Sequence, residues 1–329
     1  MTPGRNGHPW ASLRASHPVI TDHARQRRGP VQDTDRSHVF DIASNLPSTK
    51  LLKTCDVVSH RLAADEDAAN AVVSLHDVVP SAVLDGQPAA GYSPEMLVWV
   101  ASFPRSGNTF LRIILHCLYG IRTSTVYDVD GVAERLGKDL IGFADRPGSL
   151  AEVRASDEPH FIKTHRQRDA DVDENDSAIC LVRDGRDALV SWAHQASEED
   201  PGGYEAELRK HILRVGAVGT GSWGNNILSW LRPPAPHRIV LQYEDLIRDP
   251  RAAVTPIIAA LTPALAVRPN AAIPSLDELR RHDDRFFRRG HTGSHRDELP
   301  ADLHQLFWSR ADNQVAMTLL GYPKPDAEG

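Results

Sequence analysis

The chain has 329 residues, 41% of them hydrophobic, which is enough for one large or two modest domains with a substantial core. Its 37 lysine and arginine residues against 44 aspartate and glutamate residues give a net charge of −7, which excludes a chain-wide affinity for nucleic acid or an anionic membrane. The glycine and proline contents are too low for a low-complexity chain, and three cysteines without close pairing favour a reducing, cytoplasmic location.

The first 92 residues carry little periodicity. Residues 1–35 are rich in Arg, Ser, His and Pro and poor in acids. Some organelle-targeting segments share this composition, but it is more typical of a disordered tail. Residues 36–92 form an unassigned extension, and residues 93–325 form the predicted main domain. No apolar run approaches the roughly 18 residues that cross a bilayer, so we expect no membrane span.

From Met96 onward, short apolar runs alternate with polar loops and helical patterns, which predicts an α/β fold with a central, mostly parallel sheet flanked by helices. The predicted strands are Leu97–Ser102, His160–Lys163, Ala178–Val182 and Arg238–Gln242. The predicted helices are Thr109–Tyr119, Arg186–His194 and Trp223–Leu231. The strands are apolar throughout, as parallel strands covered on both faces are. Ligands of such sheets bind at the carboxyl ends of the strands, so the loops there form the candidate site.

The loop Ser102–Thr109 follows the first predicted strand and opens a helix. Free backbone N–H groups and the positive end of the helix dipole converge at such a point, so we predict an anion site there. Compared with the nucleotide-triphosphate loop G-x-x-x-x-G-K-[ST], Gly107 and Thr109 match, whereas Asn108 stands in place of the lysine. Arg105 supplies a cation instead. An ordinary strand–helix turn is the alternative interpretation.

A similar arrangement follows the third predicted strand. Arg183 stands at the strand end, and Ser191 comes eight residues later, close to two helical turns, so the two residues face the same way. An arginine fork binds phosphate in a bidentate manner, and a serine adds one hydrogen bond. A structural ion pair of Arg183 with Asp184 or Asp187 is the alternative.

A third cluster, residues 281–296, holds five arginines and two aspartates within an acidic chain. Gly290 and Gly293 would let the backbone approach a ligand closely. The stretch is too short, and the rest of the domain too acidic, to indicate a nucleic-acid site. A solvated, charged loop is the alternative interpretation.

His165 is the candidate general base. Together with Lys163 it follows the second predicted strand, at the same edge of the sheet as the two loops above. A single one of the 16 histidines is most often surface or core decoration. A neutral imidazole opposite an anion cradle, however, can take a proton from a substrate hydroxyl. No histidine spacing forms a convincing zinc site.

Five motifs, in this chain order, resemble the sulfotransferases that use 3′-phosphoadenosine 5′-phosphosulfate (PAPS). The motifs are Phe103–Phe110, Lys163–His165, Leu181–Ser191, Tyr243–Leu246 and Phe286–Gly290. The resemblance covers about residues 96–322 and implies a sulfotransferase fold like that of P-loop NTPases. The family's dimerisation signature is not recognisable in residues 294–317, which leaves the oligomeric state open.

The resemblance implies a role for each matching residue. Arg105 would replace the family's usual lysine beside the transferred group, and Lys163 and His165 would complete the catalytic set. The 5′-phosphosulfate would lie on Arg105, Ser106, Gly107, Asn108 and Thr109. Adenine would contact Phe110 and Tyr243, and the 3′-phosphate would be held by Arg183, Ser191, Arg288, Arg289 and Gly290.

The predicted activity is transfer of a sulfuryl group from PAPS to a hydroxyl or amine of a small-molecule, lipid-like or sugar acceptor. No metal is expected, because no carboxylate pair suited to Mg²⁺ is visible. A small-molecule kinase with a variant phosphate loop and a non-catalytic nucleotide-binding protein are the alternatives. The acceptor would be bound by loops within residues 119–158 and 195–222. Four tryptophans are candidates either for the lining of such a cleft or for the core: Trp99, Trp192, Trp223 and Trp230.

Overall fold

The computed structural model describes residues 96–216 and 218–322. The tail and extension expected for residues 1–92 lie outside the described residues. One sheet forms the centre of this part of the chain. Its strands are β1 (Leu97–Ser102), β2 (Thr123–Thr125), β3 (His160–Thr164), β4 (Ser177–Val182) and β5 (Arg238–Gln242). Their order is β2-β3-β1-β4-β5 and each neighbouring pair is parallel, which confirms the predicted fold class.

Helices follow the strands and cover the sheet. In chain order they are α1 (Asn108–Tyr119), α2 (Gly131–Leu136), α3 (Lys138–Ile141), α4 (Leu150–Arg154), α5 (Gly185–Ala196), α6 (Tyr204–Ile212), α7 (Trp223–Leu231), α8 (Tyr243–Arg248), α9 (Pro250–Leu261), α10 (Leu276–His282), α11 (His295–Glu298), α12 (Ala301–Trp308) and α13 (Ala311–Leu319). The three helices predicted from periodicity agree with α1, α5 and α7 to within two residues at each end. No helix within the described ranges is long and apolar enough to cross a membrane.

The strands send alternate side chains to the two faces of the sheet. Val98 and Val100 of β1 pack with α1 and α9, whereas Leu97 and Trp99 pack with Trp230 of α7. Because both faces are covered, every residue of β1 is buried, including the polar Ser102 at its end. The expectation of apolar strands covered on both faces is wrong for β5, where only Leu241 is buried. Ile239 and Val240 pack against the two sides but stay partly exposed.

The strand order decides where a ligand can bind. β1 lies between β3 and β4. After β1, the chain first forms β2 and β3 on one side of it and then β4 and β5 on the other side. The loops that follow β1, β3 and β4 therefore meet at one edge of the sheet. Such a switch point leaves a crevice at the carboxyl ends of the strands.

A buried ion pair fixes the segment after β2. Arg112 of α1 and Asp130 are 2.8 Å apart, with both side chains fully buried. Arg112 also donates from Nε to Thr123 Oγ1 at 2.7 Å, and Asp130 caps α2 by accepting from the N–H groups of Val132 and Ala133. These bonds tie α1, β2 and α2 together beside the crevice.

The substitution Asp130→Asn keeps the helix cap but leaves Arg112 buried without an anion. We expect the free energy of unfolding to fall by about 3–5 kcal/mol, measured by urea denaturation followed by circular dichroism. The matched control is Asp139→Asn, whose pair with Arg122 is exposed and whose loss should leave the denaturation midpoint unchanged. Equal, small effects of the two substitutions would contradict the importance of the buried pair.

Candidate active site

A cavity of about 1080 Å³ opens at the carboxyl edge of the sheet. The predicted site residues that line it are Arg105, Gly107, Asn108, Thr109, Phe110, Lys163, His165, Arg183, Ser191, Tyr243, Arg288, Arg289 and Gly290. Ser106 differs from the other predicted residues, because its side chain is fully buried and does not line the cavity. Segments that lie far apart in sequence thus meet around one space.

The first loop presents the start of α1 to the cavity. Gly107 precedes the helix with φ 98°, a conformation that side chains other than glycine's rarely adopt, and a Cβ there would lie 2.6 Å from the Tyr243 ring. Asn108 donates from Nδ2 to the carbonyl of Val100 and to Ser102 Oγ, each at 3.1 Å, which anchors the loop to β1. No side chain caps the first turn of α1, so its N–H groups remain available to an anion.

Arg105 connects the three loops. Its backbone has φ 63°, and its guanidinium donates to Ser191 Oγ at 3.2 Å and to the carbonyl of Phe286 at 2.8 Å. The guanidinium carbon lies 4.6 Å from the centre of the Phe286 ring. Burial, together with the nearby charge of Arg183, lowers the pKa of Arg105 to about 10. Both hydrogen-bond acceptors of this cation are neutral.

Arg183 lies beside Arg105. It donates from Nη1 to the carbonyl of Arg105 at 3.0 Å and from Nη2 to the carbonyl of His291 at 3.2 Å, and its guanidinium covers the Tyr243 ring. Its buried Nε has no partner in the described part of the chain. The carboxylate of Asp187 lies 3.8 Å from Nη2 of Arg183, which is too far for a hydrogen bond.

The structural ion pair of Arg183 is present with one of its two candidate partners: Arg183 lies within ion-pair distance of the buried Asp187 carboxylate but shares no hydrogen bond with it. Asp184 pairs with Arg186 at 2.6 Å instead. Asp187 accepts from the backbone N–H groups of Gly293 and His295 and from the His295 ring, which fastens the third cluster to α5. Burial of two neighbouring cations without a directly bonded carboxylate is unfavourable, and a bound anion would relieve it.

The third cluster is an ordered wall of the cavity rather than a solvated loop. Arg288 and Arg289 both line the cavity, and both pair with Glu298, at 2.9 and 2.6 Å. Gly290 has φ 63°, and a Cβ there would overlap the side chain of Leu276. This glycine is therefore required for the loop to follow its path.

His165 has a fixed tautomer. Its Nδ1 lies 2.9 Å from the carbonyl oxygen of Ser102. Because a carbonyl only accepts hydrogen bonds, Nδ1 carries the proton and Nε2 of the neutral ring keeps its lone pair. Burial, reinforced by the charge of Lys163, lowers the pKa of His165 to about 3.

Lys163 is a second perturbed group beside this histidine. Its side chain is nearly buried, 3.9 Å from Asp130 and over the ring of Tyr127. Burial lowers the pKa of Lys163 to about 8, against the opposing effect of Asp130. The cavity thus holds a neutral imidazole next to a lysine whose pKa is lowered toward neutrality.

Several residues that line the cavity were not in the predicted site, among them Ser294 and Arg135. Ser294 is 1% exposed, and its Oγ has no partner among the described residues. Its position in the basic cluster, four residues after Gly290, was the available signal. Arg135 lines the cavity and binds Asp283 and Glu198, partners so distant in sequence that no local pattern marks them.

Among the four tryptophans that the sequence could not assign to the core or to a cleft, Trp192 lines the cavity. Its indole stacks on His211 with ring centres 3.9 Å apart and meets the edge of Phe103. Trp99, Trp223 and Trp230 are buried in the core. Among residues 96–216 and 218–322, no group of three or more His, Cys, Asp or Glu side chains is placed to hold a metal ion.

Comparison with known proteins identifies the family to which this geometry belongs. The model of the sulfotransferase domain matches residues 96–261, half of the chain. The chain belongs to the sulfotransferase domain family. The matched range contains the first two loops, Lys163 and His165, and it ends before the third cluster.

The sulfotransferase domain also has individual relatives. Dog sulfotransferase 1B1 (Canis lupus familiaris) is 25% identical over 177 residues, which cover 48% of this chain and 56% of that protein. A WSCD family member of Drosophila melanogaster is 28% identical over 172 residues, covering 51% of this chain and 48% of that protein. The matched part of the chain spans about half the length of these relatives. The crystal structure of a mouse sulfotransferase complexed with PAP superimposes with a TM-score of 0.50 at 18% identity, covering 75% of this chain and 95% of that one, which shows a shared fold.

The tautomer and charge of His165 can be tested directly. We expect nitrogen-detected NMR of the labelled protein to show a neutral ring protonated at Nδ1 throughout about pH 5 to 8, with the signal assigned by its loss in His165→Gln. Because the folded state resists protonation of this ring while the unfolded chain takes up a proton near 6.5, His165 should also reduce stability as the pH falls below that value. A midpoint near 6.5 in the folded protein, or an Nε2–H tautomer, would contradict the assignment.

Proposed function

We propose that the protein transfers a sulfuryl group from PAPS to a hydroxyl or amine of a small acceptor. The proposal rests on one observation above all: Arg105 and Arg183 lie side by side at an uncapped helix start, and within residues 96–216 and 218–322 neither has a carboxylate within hydrogen-bond distance. Such a site favours a multiply charged anion. Membership of the sulfotransferase domain family supports PAPS as that anion.

The cavity offers separate places for the parts of this donor. The 5′-phosphosulfate would lie on the N–H groups at the start of α1, between Arg105 and Lys163. Adenine would pack against Tyr243 and Phe110. The 3′-phosphate would be bound by neighbouring cations and hydroxyls of the second loop and the third cluster, all of which line the cavity: Arg183, Ser191, Ser294, Arg288, Arg289 and the backbone of Gly290.

The reaction would be an in-line displacement at sulfur. The acceptor oxygen forms a bond to sulfur while the bond from sulfur to the 5′-phosphate oxygen breaks, and the electron pair of that bond stays on the phosphate. The acceptor proton moves to Nε2 of His165, the nitrogen that keeps a lone pair. The negative charge of the bound phosphosulfate would raise the pKa of this imidazole, making it a better base in the complex than in the free protein.

Catalysis by this site would consist mainly of positioning and charge stabilisation. Transfer reactions of this kind pass through a loose transition state in which charge accumulates on the leaving oxygen. Arg105, Lys163 and the N–H groups of α1 are fixed in place before the reaction, so they can stabilise that charge without reorganisation. We therefore propose that no metal is required. We further propose a cytoplasmic location, which rests on the cysteine content alone.

We propose that the acceptor binds beside four lining residues of the cavity: Trp192, Val132, Gln195 and Arg135. Arg135 already binds the carboxylates of Glu198 and Asp283, which offset its positive charge. The aromatic wall and the neutral Gln195 amide favour an uncharged small molecule with a ring, a lipid-like alcohol or a neutral sugar.

The alternatives differ in measurable ways. A kinase would need ATP and Mg²⁺. Asn108 stands where the nucleotide-triphosphate loop has its lysine, which disfavours a kinase. A protein that binds the nucleotide without turnover would not need a neutral His165 with its free Nε2 beside Lys163.

Incubation with isotopically labelled PAPS and a broad panel of neutral alcohols, phenols, sugars and amines, read by mass shift, tests the reaction. We expect transfer to at least one acceptor class, unchanged by EDTA. His165→Gln should lower turnover about 10²- to 10⁴-fold while affinity for adenosine 3′,5′-bisphosphate (PAP) stays nearly the same. Loss of activity in EDTA with recovery on adding Mg²⁺, or turnover by His165→Gln within about threefold of the original, would count against the mechanism.

The role of Arg183 can be tested by calorimetry with PAP. Arg183→Ala should weaken PAP binding by about 2 kcal/mol or more, because it removes a buried, charge-assisted contact. The control is Arg209→Ala, an exposed arginine paired with Asp302 on the surface, which should leave the affinity unchanged. Unaltered PAP affinity in Arg183→Ala would exclude this residue from the phosphate site.

A further inference from the structure

We propose that Glu298 is a positioning residue that holds Arg288 and Arg289 ready for the 3′-phosphate of the donor. The inference rests on the proposed function, because that function supplies the phosphate. It concerns a residue that does not itself line the cavity and that belongs to none of the five sequence motifs.

One carboxylate oxygen serves both arginines. Glu298 Oε1 lies 2.9 Å from Nη1 of Arg288 and 2.6 Å from Nη2 of Arg289. Adjacent guanidinium groups repel each other, and long, partly exposed side chains lose conformational entropy when they are fixed. A shared anion offsets both costs before the ligand arrives, which is how preorganisation raises affinity.

Glu298 is itself held from the opposite side. Its Oε2 lies 2.6 Å from Nε2 of His194, and the hydroxyl of Tyr204 donates to its backbone carbonyl at 2.7 Å. His194 stands three residues after Ser191 on α5, so the two side chains lie on the same side of that helix. The carboxylate therefore links the helix that carries Ser191 to the loop that carries the two arginines.

The contacts leave room for a phosphate. Arg288 and Arg289 line the cavity, whereas Glu298 lies behind them. The carboxylate engages a single nitrogen of each guanidinium, and each guanidinium has further N–H groups. Glu298 thus orients the arginines without occupying the position where the phosphate would bind.

The experiment compares two ligands that differ only in the 3′-phosphate, PAP and adenosine 5′-phosphate, by calorimetry. Glu298→Gln should bind PAP about tenfold more weakly and adenosine 5′-phosphate as well as the unaltered protein does. In steady-state kinetics KM for PAPS should rise while kcat changes little. His194→Ala removes a hydrogen-bond partner of Glu298 but leaves the charge of Glu298 in place, so it should also weaken PAP binding, by a smaller factor. This second variant tests the proposal if Glu298→Gln does not fold.

The matched control is Asp297→Asn, which removes one negative charge from the neighbouring position. Asp297 is mostly exposed and lies 3.7 Å from Arg289, so we expect a much smaller effect on PAP binding. Equal losses for both ligands in Glu298→Gln would indicate general damage and overturn the proposal, as would unchanged or tighter binding of PAP. If the unaltered protein itself fails to bind PAP, the proposed function falls. If the unaltered protein binds PAP and the variants bind it equally well, only the proposed role of Glu298 is disproved.

Discussion

The structure around the cavity depends on one electrostatic constraint, the close approach of Arg105 and Arg183. Both side chains are turned inward at the carboxyl edge of the sheet, and Arg183 donates to the backbone of Arg105. Their other acceptors are carbonyl and hydroxyl oxygens. These neutral acceptors satisfy several of the N–H groups without cancelling the charge, and Asp187, 3.8 Å from Arg183, offsets the charge of one of the two cations, so the site keeps a positive potential. The conformation of the first loop, the position of Tyr243 and the attachment of the third cluster all serve to hold these two cations where they are.

Four further cations of the cavity are balanced from behind. Lys163 faces Asp130, Arg288 and Arg289 share Glu298, and Arg135 binds Asp283 and Glu198. The carboxylates in these pairs do not line the cavity, whereas the cations do. This arrangement explains how a chain of net charge −7 can present a basic surface to a ligand. It also keeps long side chains in defined positions, which a phosphate or sulfate group requires for directional hydrogen bonds.

His165 shows how one hydrogen bond can define a chemical role. The carbonyl of Ser102 belongs to the strand that leads into the first loop, and it fixes the proton on Nδ1. The lone pair of Nε2 is thereby available on the side of the ring away from that carbonyl. The same strand end thus orients both the first loop, through Asn108, and the ring of His165.

Local sequence determined the class of fold, the strands β1, β3, β4 and β5, the helices α1, α5 and α7, and the loops that carry the site, because apolar periodicity and strand-end motifs are properties of consecutive residues. It did not reveal β2, a three-residue polar strand, or the short helices α2 to α4, whose patterns are too brief to stand out. Tertiary structure alone decided that Arg105 would bond to Ser191 and Phe286, that Trp192 rather than Trp99 would line the cavity, and that Glu298 would meet two arginines and a histidine. Those contacts join residues that are neighbours only after the sheet has formed, so no local pattern can encode them.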